Sequence, residues 1–338
     1  MNVAILSFWH VHAKDYTRDA TEHPDTQIVA LWDENPERGR KEAEDRGFKF
    51  YENLDELLAR PDIEGVIVVT PTNIHHDIII AAAQAGKHIF TEKVVATTLR
   101  ECKEILAAVE AANVKLTVSL PRLNANYTLA VQDILSQGLL GDVTLVRTRL
   151  SHNGGVPSER DAKGWLPERF FNLEQCGGGA MIDLGCHPMY LARLFLGLPE
   201  SISANYGYVA GKEVEDNAVS VLRYTNGALA IVEAGFVNSS SPFVIEIHGT
   251  DGSLLYSTHD NKLLVRSTKA GVESKEWQVV ETLPESRPSA FSQWVGHIQN
   301  DTTATENIQL ALDLTRLMDA SNRSAKSGAA FKLSDLAE

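Results

Sequence analysis

The chain has 338 residues, 43% of them hydrophobic and 22% charged, and a net charge of −14. That length fits two domains with a sizeable core, and an acidic balance with no basic stripe excludes nucleic acid or an acidic membrane surface as the partner. Cys102, Cys176 and Cys186 are too few and too scattered for a disulfide framework, and no apolar run approaches 20 residues; the expectation is a cytoplasmic protein with reduced thiols, no leader peptide and no membrane span.

Asn2–Leu6 reads as a short buried strand, followed by a turn over Ser7–Ala13 and a helix toward Glu22. Gln27–Trp32 is a second strand ending at Asp33, and helix signals run from Pro36 to Arg46, then from Leu54 to Ala59. Gly65–Val69 is a β-branched run of the kind buried on both faces, stopped at Thr70-Pro71-Thr72. Helix Ile74–Gln84 with Gly86 as C-cap, strand His88–Thr91, helix Thr98–Ala111 and strand Lys115–Ser119 complete the first part. Strand alternating with helix at this pitch predicts an α/β, doubly wound parallel sheet. Ligands of such sheets bind at the carboxyl ends of the strands, which groups Ser7–His12, Asp33, Thr70–Asn73 and Glu92–Lys93 around one crevice.

After Pro121 the pattern changes. Asn124–Gln137 is a helix ended by Gly138, Val143–Leu150 a strand, and Ser151–Gln175 a polar loop containing Trp165 and Phe170-Phe171. The stretch Cys176-Gly177-Gly178-Gly179-Ala180-Met181-Ile182-Asp183-Leu184-Gly185-Cys186-His187 follows. Three glycines let backbone or ligand approach closely, and a helix here puts Asp183 and His187 on one face, one turn apart. A carboxylate beside an imidazole sets its orientation and proton affinity, as general acid–base work requires; the plain alternative is an ordinary i,i+4 surface pair. Beyond Pro199, alternating strands at Ser201–Tyr208, Ala218–Tyr224, Ala228–Phe236, Phe243–His248 and Ser253–Ser257, with turns at Thr225-Asn226-Gly227 and Thr250-Asp251-Gly252, predict an α+β half with an antiparallel sheet. Glu306–Ser324 is an amphipathic closing helix.

The order of several short motifs resembles the Gfo/Idh/MocA family of sugar and cyclitol dehydrogenases. They are Thr70-Pro71 followed by His75, Ala85-Gly86-Lys87-His88, Glu92-Lys93, Gly138-Leu139-Leu140-Gly141, the glycine run leading to Asp183 and His187, and Val214-Glu215-Asp216. The resemblance covers nearly the whole chain. It implies a dinucleotide-binding Rossmann domain at 1–121 and an open-faced, mainly antiparallel α+β domain for substrate and oligomerisation at 122–338, with the helix at about 305–325 packing back toward the first. It further implies Lys93, Asp183 and His187 as the catalytic set for hydride transfer between a hydroxyl-bearing carbon and a nicotinamide. His187 would move the hydroxyl proton, Lys93 would place positive charge at the substrate oxygen, and Asp183 would orient His187 or contact a hydroxyl. Ser7, Phe8, Trp9, His10, Val11, His12, Asp33, Thr70, Pro71, Thr72, Asn73, His75, Glu92, Lys93 and Arg122 are the implied cofactor contacts. His152 and Trp165 join Asp183 and His187 on the substrate side. The expected cofactor is NAD rather than NADP, since Asp33 after the second strand suits ribose hydroxyls and repels a 2′-phosphate. The expected partners are a small polyhydroxylated substrate and a second copy of the chain.

Two departures stand out. The Gly-x-Gly-x-x-Gly pattern that lets backbone approach a diphosphate is replaced by Ser7-Phe8-Trp9-His10-Val11-His12. Glu92-Lys93 is followed by Val94 and not by proline, which removes a fixed φ and a ready cis bond. These departures keep two alternatives open: metal- or cofactor-assisted lyase or isomerase chemistry at the same residues, and a ligand-binding member without turnover. His10, His12, His152 and Asp183 offer nitrogen and oxygen donors, but their spacing matches no fixed metal motif, so no metal is assigned.

Overall fold

A computed structural model describes residues 1–159, 161–269 and 276–336. The chain divides into two compact units, Met1–Leu120 with Pro288–Leu312, and Pro121–Arg287 with Asp313–Glu338.

The first unit contains β1 (Asn2–Leu6), α1 (Ala13–Glu22), β2 (Gln27–Trp32), α2 (Pro36–Arg46), β3 (Lys49–Tyr51), α3 (Leu54–Leu58), β4 (Gly65–Val68), α4 (His75–Gln84), β5 (His88–Thr91), α5 (Leu99–Ala111) and β6 (Leu116–Val118). All six strands are parallel, in the order β3-β2-β1-β4-β5-β6. The order reverses between β1 and β4, so the loops after β1, β4 and β5 share the carboxyl edge where a doubly wound sheet receives ligands. Val3, Ile5, Leu31, Ile67 and Phe90 form its core.

The second unit contains α6 (Asn126–Ser136), β7 (Val143–Ser151), three short helices α7 (Leu173–Cys176), α8 (Ala180–Asp183) and α9 (Cys186–Leu196), then β8 (Ser201–Gly207), β9 (Asn217–Arg223), β10 (Leu229–Gly235), β11 (Val244–Gly249), β12 (Gly252–Ser257), β13 (Lys262–Ser267) and β14 (Gln278–Val279). Helix α10 (Ala290–Gln299) belongs to the first unit, α11 (Thr305–Ser327) crosses from the first into the second, and β15 (Phe331–Lys332) ends the series. The sheet order is β14-β13-β12-β11-β7-β10-β9-β8-β15, antiparallel except where β7 meets β10. Its strands alternate buried with partly exposed residues, as a sheet covered on one face requires. Helices α8, α9 and α11 cover the buried face; Ser220 and Tyr206 of the sheet bond Ser321 of α11 at 2.7 and 3.0 Å.

The boundary therefore differs from a single division at 121/122. The returning segment is held by α10, capped by the Ser289 side chain on the Ser292 N–H, which buries Phe291, Trp294 and Val295 in the core of the first unit. Gly65 leaves room for that indole: a Cβ there would lie 2.8 Å from the Trp294 ring.

Candidate active site

At the end of β1, Ser7 takes a left-handed φ of 85°, the conformation a first loop glycine would supply. Phe8 turns into the core, with the Arg46 guanidinium 4.7 Å from its ring centre. Trp9 is only 4% exposed, so this large side chain is packed inside the protein. Five of the six amides from Phe8 to Ala13 are spent internally. Phe8 N–H goes to Asp33 Oδ2 at 2.8 Å, Trp9 N–H to Ser7 Oγ at 2.9 Å and His10 N–H to Val69 O at 3.3 Å. His12 N–H goes to His10 Nδ1 at 3.2 Å and Ala13 N–H to His10 O at 3.1 Å. A glycine loop holds those donors toward an anion; this one does not.

Asp33 is fully buried. Besides Phe8 N–H it accepts from Asn35 N–H at 2.8 Å and from Arg38 through Nε at 2.9 Å and Nη2 at 2.6 Å. Arg38 also pairs with Glu34, whose carboxyl is pushed up by burial and by the neighbouring Asp33. The group presented at the end of β2 is thus a cluster of two carboxylates and one guanidinium, and not an open aspartate.

At the end of β5, Glu92 and Lys93 are both buried, with Lys93 Nζ 3.7 Å from Glu92 Oε1. Tyr16 of α1 donates its hydroxyl to Glu92 Oε2, and His12 Nδ1 lies 3.3 Å from the same oxygen. Burial alone would raise the Glu92 pKa, but the charges of His10, His12 and Lys93 outweigh it and hold the carboxyl well below its usual range. Glu92 Oε1 and, at the end of β4, Thr70 Oγ1 are buried and accept or donate no hydrogen bond. His75 is buried, with Nδ1 3.0 Å from Val94 O and Nε2 3.1 Å from Thr70 O; burial lowers its pKa. It stitches the Lys93 turn to the β4 turn. The Lys93–Val94 bond is cis although Val94 replaces proline. Pro71 leads into a 3-10 turn over Thr72–Ile74, which contains Asn73.

In the second unit the glycine stretch is not one helix. α8 stops at Asp183 and α9 begins at Cys186, with Gly185 N–H reaching back to Ala180 O at 2.9 Å. Asp183 and His187 therefore do not share a continuous helical face. The glycines serve packing: Gly179 and Met181 N–H groups go to the Glu215 carboxylate at 2.9 Å, and a Cβ on Gly179 would lie 2.0 Å from Glu215 O. His187 is buried, with Nδ1 3.3 Å from Tyr190 Oη, and that hydroxyl accepts Arg122 N–H at 2.9 Å. The Arg122 guanidinium lies 3.9 Å from the centre of the Phe243 ring and donates to Tyr127 Oη at 2.9 Å. His152 stacks on Phe236 and tilts against Trp165, with ring centres 5.2 and 4.5 Å apart. Its Nδ1 accepts Gly154 N–H at 3.0 Å, burial lowers its pKa, and the negative charge of Asp183 acts the other way. Trp165 is 54% exposed, an apolar plate beside two polar groups, His152 and Asn153, the latter 3.2 Å from the indole N–H.

The sequence of the first unit matches, over residues 3–120, the oxidoreductase family with an NAD-binding Rossmann fold, and residues 128–255 match the Gfo/Idh/MocA C-terminal domain. The chain belongs to the Gfo/Idh/MocA family. It is 29% identical to 1,5-anhydro-D-fructose reductase of Ensifer adhaerens over 72% of each chain. It is 28% identical to scyllo-inositol 2-dehydrogenase (NAD(+)) of Bacillus subtilis, over 74% of this chain and 70% of that one. In structure it superposes on levoglucosan dehydrogenase in complex with NADH and levoglucosan with a TM-score of 0.81, at 22% identity over 98% of each chain.

For a Gfo/Idh/MocA protein the test is whether its first unit fits a dinucleotide. At the carboxyl edge after β4 and β5, Thr70 Oγ1 and Glu92 Oε1 are buried polar atoms without hydrogen bonds, beside the buried Lys93, and these are groups a polar ligand could satisfy. At the diphosphate end the fit differs from the glycine-loop pattern, because the amides are already bonded. Tyr16, Tyr190 and Arg38 escaped sequence reasoning. Tyr16 and Tyr190 lie four and three residues beyond His12 and His187, so helical spacing was the available signal for those two; Arg38, five residues beyond Asp33 and on a helix that starts after it, carried none.

Proposed function

We propose that the protein is an NAD-dependent oxidoreductase that moves a hydride between a nicotinamide and a hydroxyl or keto carbon of a sugar, sugar derivative or cyclitol. The observation that carries this reading is the buried Glu92–Lys93 pair with an orphaned carboxylate oxygen, at the carboxyl edge of a Rossmann sheet. The relatives named for anhydrofructose and scyllo-inositol support the substrate class. When bound, the nicotinamide supplies the hydride acceptor or donor.

The chain's own residues supply the proton and the charge. With its Nδ1–H given to Tyr190 Oη, His187 keeps a lone pair on Nε2 that takes the hydroxyl proton in oxidation and returns it in reduction. Tyr190, held by Arg122 N–H, is the positioning residue. Lys93 stabilises negative charge on the substrate oxygen, and Asp183 binds a substrate hydroxyl or orients the imidazole. Trp165 and His152 meet the sugar face. The cluster of Asp33, Glu34 and Arg38 keeps a net negative charge where a 2′-phosphate would lie, which supports NAD over NADP. The partly exposed face of the large sheet is the surface for self-association.

The test is nicotinamide absorbance on a panel of sugars and cyclitols with NAD and NADP. Turnover with NAD is expected, reduced about 10³-fold by Lys93→Met and by His187→Ala with the fold retained. Wild-type rates in either variant, or equal use of NADP, would overturn the corresponding assignment.

A further inference from the structure

We propose that His10, His12 and Glu92 form a binding site for a divalent first-row transition-metal ion of the zinc or cobalt type. The three residues come from the loops after β1 and β5, and one ligand atom of each lies within 4.8 Å of the other two. Two donors on one such ion, each at about 2.1 Å, sit about 3.0–3.4 Å apart. His12 Nδ1 and Glu92 Oε2 are already 3.3 Å apart, and His10 Nδ1 is 4.0 Å from that oxygen. Closing the set needs the His10 imidazole to swing toward Glu92 and to release the His12 N–H that its Nδ1 accepts at 3.2 Å.

The donor chemistry selects the ion. Two imidazoles and one carboxylate suit zinc, cobalt or nickel; magnesium and calcium prefer all-oxygen shells. The second carboxylate oxygen, Oε1, is buried without a hydrogen bond, 3.7 Å from Lys93 Nζ. Tyr16 donates its hydroxyl to Oε2, the same oxygen that His12 meets, an outer contact that fixes the orientation of the carboxylate. Three protein donors leave a position open to an oxygen ligand.

The loop also explains why a cation belongs there. A glycine loop meets an anionic ligand with backbone N–H groups, and here five of those groups are bonded within the protein. A divalent ion against the single charge of Glu92 leaves a net positive centre at the same sheet edge. The simpler reading is that Glu92 only accepts bonds from Tyr16 and His12, with no ion.

Cobalt titration of the full chain, stripped of metal by chelation and free of dinucleotide, separates the two. One Co²⁺ per chain with visible d–d absorption is expected, displaced by Zn²⁺. His12→Ala, at a residue whose side chain is 39% exposed, and Glu92→Gln should each weaken Co²⁺ binding at least about 100-fold. His248→Ala, on the other unit, should bind as wild type. His12→Asn and a melting curve for each variant guard against misfolding. No absorbing complex in the wild type, or an unchanged affinity in folded His12→Ala, would overturn the site. Because no nicotinamide is present, either result leaves the oxidoreductase reading to its own test.

Discussion

Two loops in this chain reverse the usual meaning of glycine. After β1, where a Rossmann domain is expected to spend glycines on a diphosphate, there is none, and the backbone donors are bonded to Asp33, Ser7, Val69 and His10. Before α9, where Gly177-Gly178-Gly179 suggests an opening for a ligand, Gly179 is pressed against Glu215 O. Glycine marks a close approach, and only the fold says what approaches.

The sharpest break of that contrast is Gly179→Ala. The new Cβ meets backbone on β9's entry, which has no rotamer to escape into, so a loss of about 4 kcal/mol or more in thermal unfolding is expected. A stable variant would return the glycine to a ligand role. Next is Trp9→Ala: a buried indole should cost about 3–5 kcal/mol, and dinucleotide affinity should not rise, because the amides stay bonded. Tighter NADH binding in that variant would mean the indole blocks a ligand.

Glu92 sharpens the comparison through pH. Its folded pKa is depressed, so its ionised form contributes stability above the unfolded carboxylate range near ~4.5 and loses it as pH falls from there toward the folded value. Wild type should lose stability over that acid window, and Glu92→Gln, less stable at neutral pH, should approach it. Parallel pH curves would remove the charged cluster. Tyr190→Phe should shift the pH profile of kcat more than KM, since it withdraws the partner of His187 Nδ1. The smallest effect is Ser7→Gly: relief of a left-handed φ against loss of the Oγ bond to Trp9 N–H should net within about 1 kcal/mol.

Legibility followed the range of the interaction. β1, β2, β4, β5 and β6 were readable because each is mainly an apolar run, whereas β3, three residues that open on an exposed lysine, was not. β13, β14 and α10 were not: β14 has two residues, and α10 owes its place to Phe291 and Trp294 entering a core formed more than 200 residues earlier. Lys93, Asp183 and His187 rest on motif, and spacing alone put Asp183 and His187 on one helix, where the structure has two short helices that meet at Leu184–Gly185.

The sequence by itself determined the two fold classes, the family and the identities of the polar residues at the sheet edge, because local periodicity and short motifs carry that information. Only the tertiary structure decided that Phe8 N–H closes on Asp33, that Arg122 N–H meets Tyr190 Oη, and that His10 and His12 converge on Glu92 at the end of β5. Those are contacts between distant segments, and their partners meet only once each sheet has brought those segments together.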